Sequence, residues 1–469
     1  MPQRWLAGLV LFWLWVAHGA TVDLLVLQTA DVHGAVGPAV LPEEGDWLRL
    51  GSTIRRLRCE HGADRTLLID CGDTCQGSFA AQATGGAVGP AMLNQLRVDA
   101  WVPGNHDLDF GPARLLAWTR DQHLPTLCGN LTLNLDGRRH DFPPWRRFER
   151  GGAAIAVIGA TASYLRQWTW GETARQIEVT TAAALLDRIL PEVLQGRPDL
   201  IVLATHQGWL ESDPRAVNEV HDIALRYPEI DLILGAHTHR PLAGLKIGPA
   251  TWYVQPGALA THVAAVRARV DTARHEVVEL TSELVPAATT ADLVPEADLA
   301  ALLATAATAG AVPVCRLPRP VPCGGTPGVS CPASELLCRA LAEATGATIV
   351  LHGTLSRCGL PAGDVTERDL FALVPYENAI ALADLDAAEL ETIVAEQLTN
   401  RASYVYCGLW GAQAEIVEGA DGAPPKVRLA GATGEALSRS ARVRVAMNSY
   451  TAAGGGGRFP LLSEILRNP

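Results

Sequence analysis

Lysine is nearly missing from this 469-residue chain: Lys246 and Lys426 are the only two, and 50 acidic residues against 38 basic ones leave a net charge of −12. Binding a nucleic-acid backbone takes clustered positive charge, so the composition argues against a nucleic-acid polymer as partner, and any phosphate must be met locally. None of the ten cysteines forms a Cys-x-x-Cys pair, the spacing on which structural zinc sites are built, which argues against a zinc ribbon. No apolar run reaches the roughly 20 residues that cross a bilayer. The glycine run Gly454–Gly457 is followed by no Lys-Ser/Thr pair, so it is a loop and not a P-loop. No internal repeat is visible. Charged residues make up only 19 % against 48 % hydrophobic ones, the balance of a compact globular protein and not of a disordered chain. This length accommodates two or three domains with cores of their own.

The first twenty residues read as an export signal, with Arg4, an apolar run from Leu6 to Val16 and small residues in Ala17-His18-Gly19-Ala20. An uncleaved anchor or a buried first strand is the weaker reading. Cleavage after Gly19 or Ala20 leaves an exported chain without a stable membrane span, periplasmic or extracellular. Cys315, Cys323, Cys331 and Cys338 crowd a Pro/Gly-rich stretch suited to a loop-stapling disulfide in an oxidising compartment; their pairing stays open.

From Val22 to about Glu283, short β-branched or leucine-rich runs alternate with helical stretches, the pattern of α/β layering. Strands are expected at Val22–Gln28, Thr66–Cys71, Ala100–Pro103, Ala153–Gly159, Leu200–Thr205, Leu232–Gly235 and Trp252–Gln255. Helices are expected at Trp47–His61, Pro112–His123, Thr180–Gln195 and Pro214–Arg226, where apolar residues recur every three or four positions. The predicted division is a signal over 1–20, a catalytic domain over 21–285, a linker and connecting helix over 286–310, and a second domain over 311–469.

Five of those strands end in groups able to bind metal: Asp31 and His33, Asp73, Asn105 and His106, His206, and His237 and His239. In open α/β folds sites assemble at the carboxyl ends of strands, so groups spread over two hundred residues can converge. Carboxylate, imidazole and amide donors without thiolates suit Zn²⁺, Mn²⁺ or similar ions. A bridging carboxylate, for which Asp73 is the natural candidate, would allow two ions roughly 3.5 to 4 Å apart that clamp an in-line displacement at phosphorus.

Asp31-Val32-His33-Gly34, Gly72-Asp73-Thr74-Cys75-Gln76-Gly77-Ser78, Gly104-Asn105-His106-Asp107-Leu108-Asp109, Thr205-His206-Gln207-Gly208 and Gly235-Ala236-His237-Thr238-His239 resemble the calcineurin-like metallophosphoesterase domain of secreted 5′-nucleotidases. UDP-sugar hydrolases and 2′,3′-cyclic-nucleotide phosphodiesterases belong to the same family. The resemblance implies an α/β fold, an N-terminal four-layered α/β/β/α sandwich with a smaller C-terminal α/β substrate-binding domain. It also implies two divalent ions (Zn, Mn or Co), one held by Asp31, His33, Asp73 and His239 and the other by Asp73, Asn105, His206 and His237. His106, oriented by Asp109, would contact the phosphoryl group and assist a metal-activated hydroxide.

Over Ala347–Leu398, the motifs Gly353-Thr354-Leu355-Ser356-Arg357, Pro361-Ala362-Gly363-Asp364-Val365-Thr366 and Leu373-Val374-Pro375-Tyr376-Glu377-Asn378 are similar to the family's nucleotide-binding domain. The resemblance makes Arg357 an anion clamp and Tyr376 and Tyr450 the aromatics that stack on a base. Three features depart from the pattern: His352 stands for an Asn, Gly456 for an Asp, and Gly324–Glu335 holds no additional arginine. The function so implied is hydrolysis of a small-molecule phosphate ester, foremost a nucleoside 5′-monophosphate. UDP-sugars, cyclic nucleotides or non-nucleotide phosphates are the alternative substrates, and a non-catalytic metal-stabilised binding protein is the rival of another class.

Overall fold

A computed structural model of the chain describes residues 21–36, 45–169, 171–210, 217–376, 378–398, 405–417, 426–435, 437, 442–455 and 457–467. The expected export signal, Glu377 and Gly456 lie outside these residues. Two large sheets, with a small three-stranded one beside them, form the first half. One runs Glu276–Pro286, His262–Asp271, Thr21–Thr29, Thr66–Asp70, Ala100–Trp101; the other runs Pro241–Ile247, Thr251–Pro256, Leu232–Leu234, Leu200–Thr205, Ala153–Ala160, Trp145–Arg150. Thr21–Thr29, Thr66–Asp70 and Ala100–Trp101 run parallel in the first, and Thr251–Pro256, Leu232–Leu234, Leu200–Thr205 and Ala153–Ala160 in the second, so their carboxyl ends open on one edge.

Strand periodicity explains the layering. Along Thr21–Thr29, Leu24 and Val26 join the core between the sheets, with Leu67, Ile69, Ile155, Val157, Val202 and Val254. Leu25 and Leu27 face the other way, against Trp47, Ile54, Leu93 and Trp118 of the flanking helices. On the second sheet Ile158 and Leu203 likewise meet Leu185, Leu186, Ile189 and Ile223. Successive side chains leave opposite faces of a strand, so an uninterrupted apolar run must be covered on both sides, and the result is the four-layered α/β/β/α sandwich. Burying each Leu, Ile or Val contributes about 1.5–3 kcal/mol, several times the worth of a surface ion pair.

Several expected boundaries shift. Helix Trp47–His61 matches its expectation, started by the Asp46 side chain on the N–H groups of Leu48 and Arg49 and stopped at Gly62. The expected Pro214–Arg226 helix is described only as Val220–Arg226. Residues 214–216 lie outside the described residues, and Glu219, just before Val220, sends its carboxylate to the N–H groups of Ala182 and Ala183, at the start of helix Ala182–Gln195. Ala100–Pro103 is a strand only over Ala100–Trp101. The cysteine-rich stretch carries no disulfide: all ten cysteines are free thiols. Its loop is tied by paired N–H···O bonds between Val321 and Leu360 instead. Gly454, Gly455 and Gly457, at positive φ, form a hydrogen-bonded turn that returns to Tyr450 and Thr451.

Helix Ala297–Gly310 packs on Phe79–Ala83 and Val88–Leu96. A four-stranded sheet in the second half, Ile380–Leu385, Val443–Asn448, Ile349–Gly353, Cys407–Trp410, has its own core around Leu390, Ile393, Val445 and Phe459. Phe79 and Phe371 meet edge to face at 5.8 Å, and Gln76 donates to the Pro375 carbonyl at 2.8 Å. These contacts bring the four-stranded sheet's loops over the carboxyl edge of the first two. No helix among the described residues is long and apolar enough to cross a membrane.

Candidate active site

The strand ends do converge. Asp31, His33 and His239 form one group and Asp73, His206 and His237 a second, with the donor atoms of each within 4.8 Å of one another. Both border a cleft of about 1830 Å³ that reaches from this edge to Arg357, Tyr376 and Tyr450. The backbone turns sharply to achieve this. Asp31, His33, Asp73, His237 and His239 all have φ between 51° and 72°, a left-handed conformation that Asp and His adopt more readily than most residues but at a cost of order 1–2 kcal/mol. Cross-loop bonds hold them there: the N–H groups of Asp31 and His33 donate to the carbonyls of Gly72 and Asp73 at 2.8 Å. The His237 N–H reaches the Asp31 carboxylate at 3.0 Å.

Asp107 is the centre of this scaffold, and its sequence motif gave it no role. Its buried carboxylate accepts from the N–H groups of Asp73 and Gly104 through Oδ2 and of Thr74 and Cys75 through Oδ1, at 2.8–3.0 Å. Asp70 acts similarly beneath, accepting from Thr29, Thr74 and the Gly72 N–H. Gly104 is obligatory: a Cβ there would stand 2.2 Å from Asp73 Oδ1. Only an acidic residue followed across a loop by unpaired N–H groups would have signalled Asp107, and that pairing is invisible in one dimension.

The donors are arranged as ligands. His33 Nδ1 faces the Gln76 carbonyl at 3.0 Å and His206 Nδ1 the Cys71 carbonyl at 2.7 Å. A carbonyl only accepts, so both Nδ1 atoms donate and both Nε2 atoms point into the site. Nε2 of His33 and of His239 stand 3.0 Å apart, close to the spacing of about 3 Å that two nitrogens take on one ion at ~2.0–2.1 Å. His206 Nε2 is buried without a hydrogen-bond partner of adequate geometry, its neighbour being Asp73 Oδ2 at 3.2 Å. That same oxygen lies 3.9 Å from His33 Nε2, while Oδ1 accepts from the His106 N–H. Asp73 Oδ2 thus faces both groups. Asn105 Oδ1 lies 3.0 Å from His237 Nδ1.

Burial and neighbouring imidazoles lower His33 and His237 to about 3, and burial lowers His239 as well, so these rings are neutral donors. Burial would raise Asp73, but His206 and His106 hold it well below the usual carboxylate range. His206 itself is raised to about 9, Asp73 overcoming burial; a dication at that position displaces such a proton.

His106 sits beside the two groups, its Nδ1 2.8 Å from Asp109 Oδ2 and its ring 5.5 Å from that of His33. Asp109 and Asp73 raise it to about 10 against the effect of burial. Tyr376, 43 % exposed, reaches across the cleft to 6.0 Å from the His106 ring. Tyr450, 46 % exposed, is tied to the Tyr376 loop through Asn378, whose Oδ1 accepts from the Tyr450 N–H and the Ser449 hydroxyl. Arg357 is exposed on the same cleft. His352 is elsewhere: buried, with Nδ1 2.8 Å from the Ser334 hydroxyl. Two further cleft residues carried no sequence signal beyond their type: Arg458, above the Tyr450 ring at 5.8 Å, and Trp168, stacked on His237.

Residues 24–241 match the calcineurin-like phosphoesterase family, and residues 311–464 match the 5′-nucleotidase C-terminal domain. A 5′-nucleotidase of Vibrio vulnificus is 28% identical over 49% of this chain and 42% of its own length. Protein UshA of Yersinia enterocolitica is 24% identical over 95% of this chain and 88% of its own. The chain spans about two fifths of the length of the first curated relatives it matches, 42%, 41% and 40%. The solved structure of a 5′-nucleotidase precursor from Thermus thermophilus shares the fold, with a TM-score of 0.70 at 18% identity over 96% of this chain and 92% of that one.

Replacing Asp107 by Asn puts an amide NH₂ against two of the four backbone N–H groups. Leaving buried donors facing a donor costs about 1–3 kcal/mol each, so Asp107→Asn should lower the unfolding free energy by roughly 2–5 kcal/mol in urea denaturation. An unchanged midpoint would remove Asp107 from the scaffold.

Proposed function

The chain belongs to the calcineurin-like phosphoesterases that carry a 5′-nucleotidase C-terminal domain, and from that premise we propose that it is a metal-dependent hydrolase of phosphomonoesters, foremost nucleoside 5′-monophosphates. The observation that carries this reading is the convergence of two donor groups with Asp73 Oδ2 facing both, His106 beside them and two exposed tyrosines across one cleft. The domains are taken as 21–285 and 311–469, joined through 286–310.

Asp31, His33, Asp73 and His239 would hold one divalent ion, and Asp73, Asn105, His206 and His237 the other; Zn, Mn or Co suits this donor set. When bound, such a pair polarises phosphoryl oxygens and lowers the pKa of water. The chain supplies the rest. Asp109 fixes the His106 ring through Nδ1, so that Nε2 can hold a proton against a phosphoryl or leaving oxygen. Arg357 provides a second positive charge on the cleft, in a chain whose net charge is negative. Tyr376 and Tyr450 offer π-faces to a base, worth about 1–3 kcal/mol each and tolerant of which base is bound. With His352 turned inward to Ser334, hydrogen bonds that would select one nucleoside are few.

Two substitutions separate ligand from positioned acid. Asp73→Asn should lose metal and turnover together in elemental analysis and assay, since the shared carboxylate serves both groups. His106→Ala should keep its metal while kcat falls roughly 10²- to 10⁴-fold; loss of a metal equivalent would make His106 a ligand.

A substrate panel with added Mn²⁺, Co²⁺ or Zn²⁺ tests the reaction itself. p-Nitrophenyl phosphate and several nucleoside monophosphates should be cleaved with kcat/KM values within about two orders of magnitude, and Tyr376→Ala should slow the nucleotides selectively. AMP preferred by more than about 10⁴ would require hydrogen-bonded recognition of the nucleoside. Cleavage of UDP-sugars or cyclic nucleotides alone would reassign the substrate, and no turnover on any ester would favour a binding protein.

We read the protein as exported, from Arg4, the Leu6–Val16 run and the small residues after it. Mass spectrometry of the protein from its host should find the mature chain starting at Ala20 or Thr21. Intact Met1 in the cytoplasmic fraction would overturn this.

A further inference from the structure

The two donor groups are covered unequally. His239, in the first, is 48% exposed at its side chain and its ring meets the edge of His33, at 5.0 Å and 63°. In the second, His206 is fully buried, and His237 lies flat under the indole of Trp168, with ring centroids 4.5 Å apart and planes within 18°. Trp168 ends the short helix Leu165–Trp168, which is pinned into the core by Leu165, and Tyr164 leans on the indole at 5.8 Å. Asn105 Oδ1 thus stands at Nδ1 of His237, and a broad aromatic surface covers the face of its ring.

A stacked surface matters to a ligand in three ways. It removes rotamer freedom that ion binding would otherwise have to freeze out. It lays the electron-rich face of an indole, the best aromatic partner for positive charge, against a ring that becomes positively polarised on coordination. It also occupies volume from which water would compete for the ion. Groups that orient a metal-ligating histidine change metal affinity by 10- to 100-fold in general.

We propose that Trp168 is a positioning residue for His237 and sets the retention of the ion held by Asp73, Asn105, His206 and His237, so that the ion beside the open His239 exchanges first. This rests on the two-ion reading above. The test uses the full-length protein loaded with Co²⁺, gel-filtered and mixed with a chelator, following release by elemental analysis and the cobalt visible bands. Wild type should release two equivalents in two phases. Trp168→Ala and Trp168→Leu, the latter keeping apolar bulk without the ring, should accelerate the slow phase about 10- to 100-fold and leave the fast phase unchanged. Trp168→Phe, which keeps a stacking face, should restore the slow phase and the wild-type bands. Equal acceleration of both phases, or no change in either, would overturn the proposal, because the first is general loosening and the second means that the stack does nothing. If wild type takes up a single equivalent, the two-ion reading itself falls, whatever Trp168 does.

Discussion

The Asp107 carboxylate takes four backbone N–H groups from two loops far apart in sequence, and the placement of the donors follows from that convergence. The loop after Thr66–Asp70 and the loop after Ala100–Trp101 each present N–H groups with no strand or helix partner. Buried N–H groups must be satisfied, and one carboxylate satisfies four. With both loops drawn to one anion, Asp73 and Asn105 come into reach of His206 and His237. Replacing the carboxylate with an apolar group would leave four buried donors unpaired, so its charge is structural before it is anything else.

The strained turns fit the same logic. Five residues at left-handed φ hold five of the seven candidate ligands, and a backbone kept in that region persists only where its surroundings over-determine it. Here they do: each turn borrows hydrogen bonds from its neighbour, and the sheets beneath are packed on both faces. The site is the hydrogen-bonded edge of a large core. The other side of the cleft comes from the four-stranded sheet's loops, where Tyr376 and Tyr450 face it through exposed side chains and Arg458 lies above the Tyr450 ring.

How much of this is legible in one dimension depends on whether the signal is local. Helix Trp47–His61 is readable to the residue because its cap, its apolar spacing and its stop at Gly62 all lie within the segment. The expected helix from Pro214 is described only from Val220, and the contact of Glu219 with the start of another helix is one that no window of sequence contains. The long hairpin His262–Asp271 with Glu276–Pro286 escapes notice for a related reason. Only the first strand is deeply buried, and the second alternates between half-buried and exposed residues, so neither reads as a continuous apolar run. The cysteine-rich stretch looks like a place for a staple, yet backbone pairing between Val321 and Leu360 closes that loop without one.

The layering and the donor set are written in the order of residues, because strand periodicity fixes which side chains share a face and because Asp, His and Asn at strand ends are chemically suited to metal wherever they finally lie. That order does not say which donors share an ion position, that one carboxylate oxygen faces both groups, or that His352 turns inward while Tyr376 crosses to His106. Nor does it assign Asp107 and Trp168, one gathering four N–H groups and the other covering His237. Those outcomes depend on distances between segments that only the packed sheets bring together, and a distance across a fold is a property of the core beneath the loops, not of the loops themselves.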